Sequence, residues 1–179
     1  MKLYKNRYTV GITGHRDLLE NELDVYKKEI QTYLTKLKKN AAKPLLLISP
    51  LADGADRLFI KAGKELGLDY VALLPLPMDM YKNDFSSDSL DEFNSLLIGA
   101  REYKICNFIE DNNRQNCKEY GENRDKQYLK VGQEIAKCDA MIALWDGTDN
   151  GKMGGTADIV KYRKNMKKSY YHIQVKRKK

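Results

Sequence analysis

The chain has 179 residues, 42% apolar and 32% charged, which is one domain of ordinary size with a globular profile. A chain of this length buries roughly 70% of its unfolded surface and needs no disulfide or metal staple. No apolar run is long enough to span a membrane. Met1–Arg7 lacks the apolar stretch of a secretory signal, so the expected location is the cytoplasm.

Three cysteines (Cys106, Cys117, Cys138) and two histidines (His15, His172) suggest neither a disulfide framework nor a zinc site; no metal and no cofactor is expected. The formal charge of +7 is local, because Lys161 to Lys179 hold nine Lys or Arg and no acid. Residues 1–160 keep 23 basic against 25 acidic residues. A body so near neutral argues against nucleic acid as a partner.

Short apolar runs alternate with helical patterns. Tyr8 to Thr13 reads as a strand ending in Gly14-His15. Leu23, Tyr26, Ile30, Tyr33 or Leu34, and Leu37 then recur at helical spacing. Leu45-Leu46-Leu47-Ile48 is a strand apolar on both faces. Ala55, Leu58, Phe59, Ala62 and Leu66 trace a second helix, with Gly67 at its left-handed C-cap. Tyr70 to Leu74 is a third strand, stopped by Pro75-Leu76-Pro77.

Ser89-Leu90-Asp91-Glu92 has the form of a capping box, opening a helix with Leu90, Phe93, Leu97 and Ala100 inward. Tyr103 to Phe108 is a fourth strand, and the polar stretch 111–123 is expected to be exposed. Tyr128, Val131 and Ile135 mark another helix, and Ala140 to Leu144 a fifth strand. Gly154-Gly155-Thr156 opens a short helix through Ile159 and Val160, and Tyr170 to Val175 is a last strand. Strands alternating with helices predict an α/β, three-layer Rossmann-like sandwich with a mainly parallel sheet of five or six strands. Residues 1–164 form the domain, and 165–179 a basic C-terminal strand or tail of it.

Ligands of such sheets bind beyond the carboxyl ends of the strands. There the sequence places Gly11, Thr13, Gly14, His15 and Arg16; Ser49, Ala52, Asp53, Gly54, Asp56 and Arg57; Pro75 and Pro77; and Trp145, Asp146 and Gly147, with Gly154, Gly155 and Thr156 close behind. Glycine turns let backbone N–H groups approach an anion, the helix dipole adds to the attraction, and Arg16 offers a charged fork.

His15 is either a ligand donor or general acid, or a helix cap. Asp53 suits an N-terminal cap, while Asp56 and Arg57 pair with neighbours. Asp146 at a strand end points a carboxylate into the crevice. Tyr81 and Phe85 either fold over a base or pack back on the domain. Arg124 and Tyr128, four apart on a helix, reach a phosphate and a ring or hold the helix to the sheet. The basic tail is either a nucleic-acid patch or, in the preferred reading, a solvated face and frayed end.

Gly-Ile-Thr-Gly-His-Arg, Ser-Pro-Leu-Ala-Asp-Gly-Ala-Asp-Arg, Leu-Pro-Leu-Pro with the following Tyr81 and Asp84-Phe85, Cys-Asp-Ala-Met-Ile-Ala-Leu-Trp-Asp-Gly and Gly-Gly-Thr-Ala-Asp occur in this order over about residues 8–164. Together they resemble the SLOG superfamily: the cytokinin-activating LOG enzymes, the DNA-processing protein A family and nucleotide-sensing domains of bacterial defence systems. The resemblance implies a nucleotide-like ligand, with phosphate at the Gly14 turn and at Gly154-Gly155-Thr156, and self-association into a homo-oligomer.

LOG enzymes continue Gly-Gly-Thr-x-x-Glu, whereas Asp158 here comes one position early, a turn of about 100° around a helix. That departure argues against hydrolysis and leaves binding intact. The leading expectation is therefore a sensor or binding domain for a nucleotide-derived small molecule. An N-glycosidic-bond hydrolase or transferase, resembling LOG enzymes or nucleoside deoxyribosyltransferases and using Asp158, Asp146 and His15, is the alternative. A nucleic-acid-binding protein led by the basic tail is the third.

Overall fold

The structure, a computed structural model, describes residues 4–178. Strands β1 (Tyr8–Gly14), β2 (Leu45–Ser49), β3 (Asp69–Leu74), β4 (Glu102–Ile105), β5 (Ala140–Trp145) and β6 (Tyr171–Gln174) form one sheet in the order β4-β3-β2-β1-β5-β6. All five neighbouring pairs are parallel.

Helices α1 (Leu23–Asn40), α2 (Ala55–Glu65) and α4 (Ser87–Ile98) cover one face; α5 (Glu122–Ala136) and α6 (Thr156–Asn165) cover the other. A single turn, α3 (Met78–Tyr81), follows β3. Leu45 and Leu47 of β2 enter the α1–α2 core, while Leu46 and Ile48 pack toward Val131 and Ile135 of α5. Burial on both faces is why this strand reads as an unbroken apolar run. No helix among the described residues is long and apolar enough to cross a membrane.

The strands step outward from β1 to β4, and the chain then crosses back to lay β5 on the other side of β1. The sheet thus reverses direction between β1 and β5, the switch point where such folds open a crevice. The α2 helix ends as expected: Gly67 has φ 67°, and Leu68 N–H bonds the Gly63 carbonyl at 3.0 Å, closing a Schellman turn.

Three local expectations are corrected. α4 starts at Ser87, with Ser86 Oγ as its cap, because the Ser89 hydroxyl is drawn to Asp53 and Glu92 pairs with Arg57. Phe93 is buried as expected, Leu90, Leu97 and Ala100 pack partly buried against the same core, and Leu96 joins them. β4 spans only Glu102–Ile105. The 111–123 stretch is not wholly exposed, since Asn112 and Cys117 are buried.

The tail, finally, is not a frayed end. Leu18 bridges Arg177 in antiparallel fashion, and Lys178 N–H bonds the Asp17 carbonyl at 2.8 Å. Lys176, Arg177 and Lys178 pair with Glu22, Asp17 and Glu20. Three acids in the β1–α1 connection hold it there.

Candidate functional site

At the β1–β5 switch point lies a crevice of about 430 Å³. The structure brings Thr13, Gly14, His15 and Arg16 to it from β1, and Ala52 and Asp56 from the β2–α2 loop. Pro75 and Tyr81 come from the β3 side, Tyr128 from α5, and Gly154, Gly155 and Thr156 from the start of α6. Asp84, from the motif that follows Leu-Pro-Leu-Pro, lines it too, as do Tyr120, Asp125, Thr148, Lys152, Met153 and Arg177, which were not singled out in the sequence. Tyr120, 72% exposed, sits in the polar stretch before α5, where composition gives no sign of a site.

The other predicted residues stand beside or behind the wall. Gly11 is inside β1 against Ile135. Ser49 is buried, and its hydroxyl accepts the Leu51 N–H at 3.0 Å. That bond supports Leu51 at φ 61°, a left-handed conformation costly for a branched residue and invisible to the sequence pattern. Gly54, at φ 70°, caps α2 so close to the preceding turn that a Cβ would fall 2.3 Å from the Arg16 carbonyl oxygen.

Asp53 pairs with Arg57 at 2.9 Å and accepts the Ser89 hydroxyl. Arg57 is buried, donates to Leu51, Ser89 and Glu92, and lies 4.8 Å from the Phe85 ring centre. Phe85 packs against Tyr81 and Phe93, so these aromatics belong to the domain rather than to a lid. Pro77 only precedes α3.

Of the two roles open to Arg124, phosphate contact and holding its helix in place, the geometry fits the second. Its guanidinium is fully buried and donates to Tyr128, to the carbonyls of Cys117, Lys118 and Met80, and to Asp84 at 2.5 Å. All five donors are occupied, which leaves none for a phosphate. Arg16 is the opposite case. It is exposed, 5.9 Å from the Tyr128 ring centre, and its side chain makes no hydrogen bond or ion pair among the described residues. Desolvation opposes its charge, yet Tyr81, Asp84, Tyr128 and Asp56 nearby raise its pKa.

The Gly14 turn is not an open anion cradle. His15 N–H bonds the Leu144 carbonyl at 3.1 Å, and Ala55 N–H bonds the His15 carbonyl at 3.1 Å. At α6, Gly155 N–H goes to Lys152, and Gly154 N–H to the Asp158 carboxylate at 3.0 Å. Asp158 thus caps its own helix. The first-turn amides of Thr156 and Ala157, which line the crevice, remain as the open end of the helix dipole.

Beyond them Trp145 Nε1 donates to Thr148, and Gly147 turns the chain at φ 85°. Asp146 lies 3.0 Å from His15 Nε2. That nitrogen has no aligned hydrogen bond, so the contact is electrostatic rather than directed. Burial works against the Asp146 charge, but the Thr148 hydroxyl and N–H, with His15, hold its pKa well below the carboxylate range. Asp56 goes the other way. Desolvation pushes its pKa up to about 7 despite the Ala52 N–H, Arg16, Arg57 and Ser49. Of the three residues expected to catalyse, His15 and Asp146 are adjacent and Asp158 is engaged elsewhere.

A larger hollow of about 730 Å³ runs along α1 between Lys28, Thr32, Lys36 and Lys39. It is open surface, with none of the strand-end residues, so the crevice is the candidate site.

No family model and no curated protein matches the sequence. Solved structures share its architecture, among them two of DNA processing protein A. The X-ray structure of DNA processing protein A (DprA) from Streptococcus pneumoniae superposes with a TM-score of 0.63, at 15% identity over 96% of this chain. DprA from Helicobacter pylori gives 0.57, also at 15% identity and 96% coverage. The fold is thus DprA-like. The chain spans 51% of the length of the S. pneumoniae protein and 67% of that from H. pylori.

H. pylori DprA has a single-stranded DNA binding mode. The exclusion of nucleic acid drawn from the near-neutral body is thereby corrected. A summed charge does not say where charges lie, and this crevice gathers Arg16, Lys152 and Arg177 together with Asp17, Asp56, Asp84 and Asp125.

Proposed function

We propose that the crevice binds a single-stranded nucleic acid segment, with DNA as the first candidate. The observation that carries this is Arg16: a guanidinium without a hydrogen bond or ion pair among the described residues, over the Tyr128 ring at the switch point. The other arginine lining the crevice, Arg177, is paired with Asp17, while Arg124 behind the wall donates all its N–H groups inside the protein. Arg16 and the open amides of α6 suit backbone phosphate, while Tyr128 and the exposed Tyr120 offer ring faces to bases. The DprA-like fold supports the same reading. The tail contributes less than its charge suggests, since its last described bases are paired with acids; Lys161, Lys164 and Lys167 on and after α6 stay exposed.

A labelled oligothymidylate titrated at several salt concentrations tests this. Binding weakens with salt at a slope reporting a few phosphates, and duplex DNA binds more weakly. A salt-independent affinity, or no preference for single strands, removes the proposal. A second reading, a free nucleotide as ligand, draws on the crevice volume of about 430 Å³. It predicts that a mononucleotide stabilises the protein and displaces the oligonucleotide.

A further inference from the structure

The crevice has a floor that a phosphate would avoid. Asp56 is only 6% exposed, yet it lines the cavity. Ala52 N–H donates to its Oδ2 at 3.1 Å, and the Ser49 hydroxyl lies alongside. A carboxylate has about four lone-pair sites, so acceptor capacity remains toward the cavity. Arg57, the cation next to it in sequence, turns Nη1 to Asp53, Glu92 and Ser89 and Nε to the Leu51 carbonyl, and makes no hydrogen bond to Asp56. A buried acid with spare acceptors, beside Tyr81 and Tyr128, calls for a ligand group that donates hydrogen bonds.

Resting on the nucleic-acid reading of this site, we infer that Asp56 reads a guanine: its carboxylate accepts the N1–H and N2–H₂ of a base inserted beside Tyr81 and Tyr128. Guanine is the one common base with two adjacent donors on its Watson–Crick edge. Adenine and cytosine place a ring acceptor next to their amino group, which would face the carboxylate lone pairs. Thymine sets one N–H between two carbonyls. The division of labour follows from charge: phosphate at Arg16 and α6, base at Asp56.

The experiment compares nine-residue oligothymidylates carrying one central guanine, inosine, adenine or cytosine, by competition at pH 8 with the wild-type chain. Guanine is expected to bind about tenfold tighter than inosine, which lacks only the N2 amino group, and than adenine or cytosine. Asp56→Asn is expected to erase that difference. Should the variant fail to fold, the guanine–inosine ratio in the wild type decides alone. The charged and titratable groups facing Asp56 are Arg16 from the β1–α1 turn, Arg57 on its own helix and Tyr81 on α3. With its pKa near 7, the guanine preference shrinks between pH 8 and pH 6 as the carboxylate gains a proton.

Equal affinity for guanine and inosine overturns the base-reading role while leaving single-strand binding intact. A preference for ribose over deoxyribose without base discrimination assigns Asp56 to a sugar hydroxyl and also overturns it. If no oligonucleotide binds, the nucleic-acid reading falls first and the inference with it.

Discussion

Arg16 and Arg124 both place a guanidinium carbon 5.9 Å from the centre of the Tyr128 ring. One is built into the protein and the other faces the crevice. Arg124 threads the segment before α5 onto α3 by taking three backbone carbonyls and the Asp84 carboxylate, which is as buried as Arg124 itself. Arg16 takes none. The pair shows that residue type and nearness to a pocket do not make a ligand contact; unspent donors do.

The widest separation between the two comes from truncation. Arg124→Ala strands Asp84 as a buried charge and frees three carbonyls, so it should cost about 3–5 kcal/mol of stability in chemical denaturation. Arg16→Ala should shift stability by no more than about 0.5 kcal/mol. A mild Arg124→Ala would mean that the clamp is dispensable and the contrast false.

The comparison extends to the acids. Asp84 is in direct contact with the Arg124 guanidinium, whereas Asp56 is buried with cations only nearby. With its folded pKa raised from 3.8 to about 7, Asp56 binds an extra proton in the native state between those values. Stability therefore falls as pH rises through that window, by up to about 1.4 kcal/mol per pH unit. Asp56→Asn should flatten that part of the pH–stability curve and raise stability at pH 8. An unchanged curve would place the titration on another group.

Arg16→Ala then shows its effect in binding. Loss of charge-assisted bonds to phosphate should cost about 2 kcal/mol of oligonucleotide affinity, with a shallower salt slope. If Arg16→Ala binds as wild type, the open arginine is not the phosphate contact, and the α6 amides must carry the anion alone.

Architecture was far more legible than bonding. Runs such as Leu45–Ile48 and the Gly67 cap mark strands and helix ends locally, and local rules decide them. The convergence of Thr13, Asp56 and Thr156 also follows from where strands end in a parallel sheet. The fate of each polar side chain does not. Asp53, Arg57 and Arg124 find partners 32 to 44 residues away, and spacing along the chain carries no trace of that. Strand order was equally hidden, because it depends on the crossover before β5 rather than on any one segment.

The smallest expected effect concerns the tail. Lys178 pairs with Glu20 at 2.6 Å at the surface, and Lys178→Ala should cost under about 1 kcal/mol. Arg177 is the informative neighbour, because it lines the crevice while gripping Asp17 with both Nε and Nη2, with Asp146 at 3.7 Å. Its charge is already offset by two carboxylates. Arg177→Ala should therefore weaken oligonucleotide binding less than Arg16→Ala does, although both cations border the same cavity. Equal losses would show that a phosphate outcompetes Asp17, and that the C-terminal strap opens when the ligand arrives.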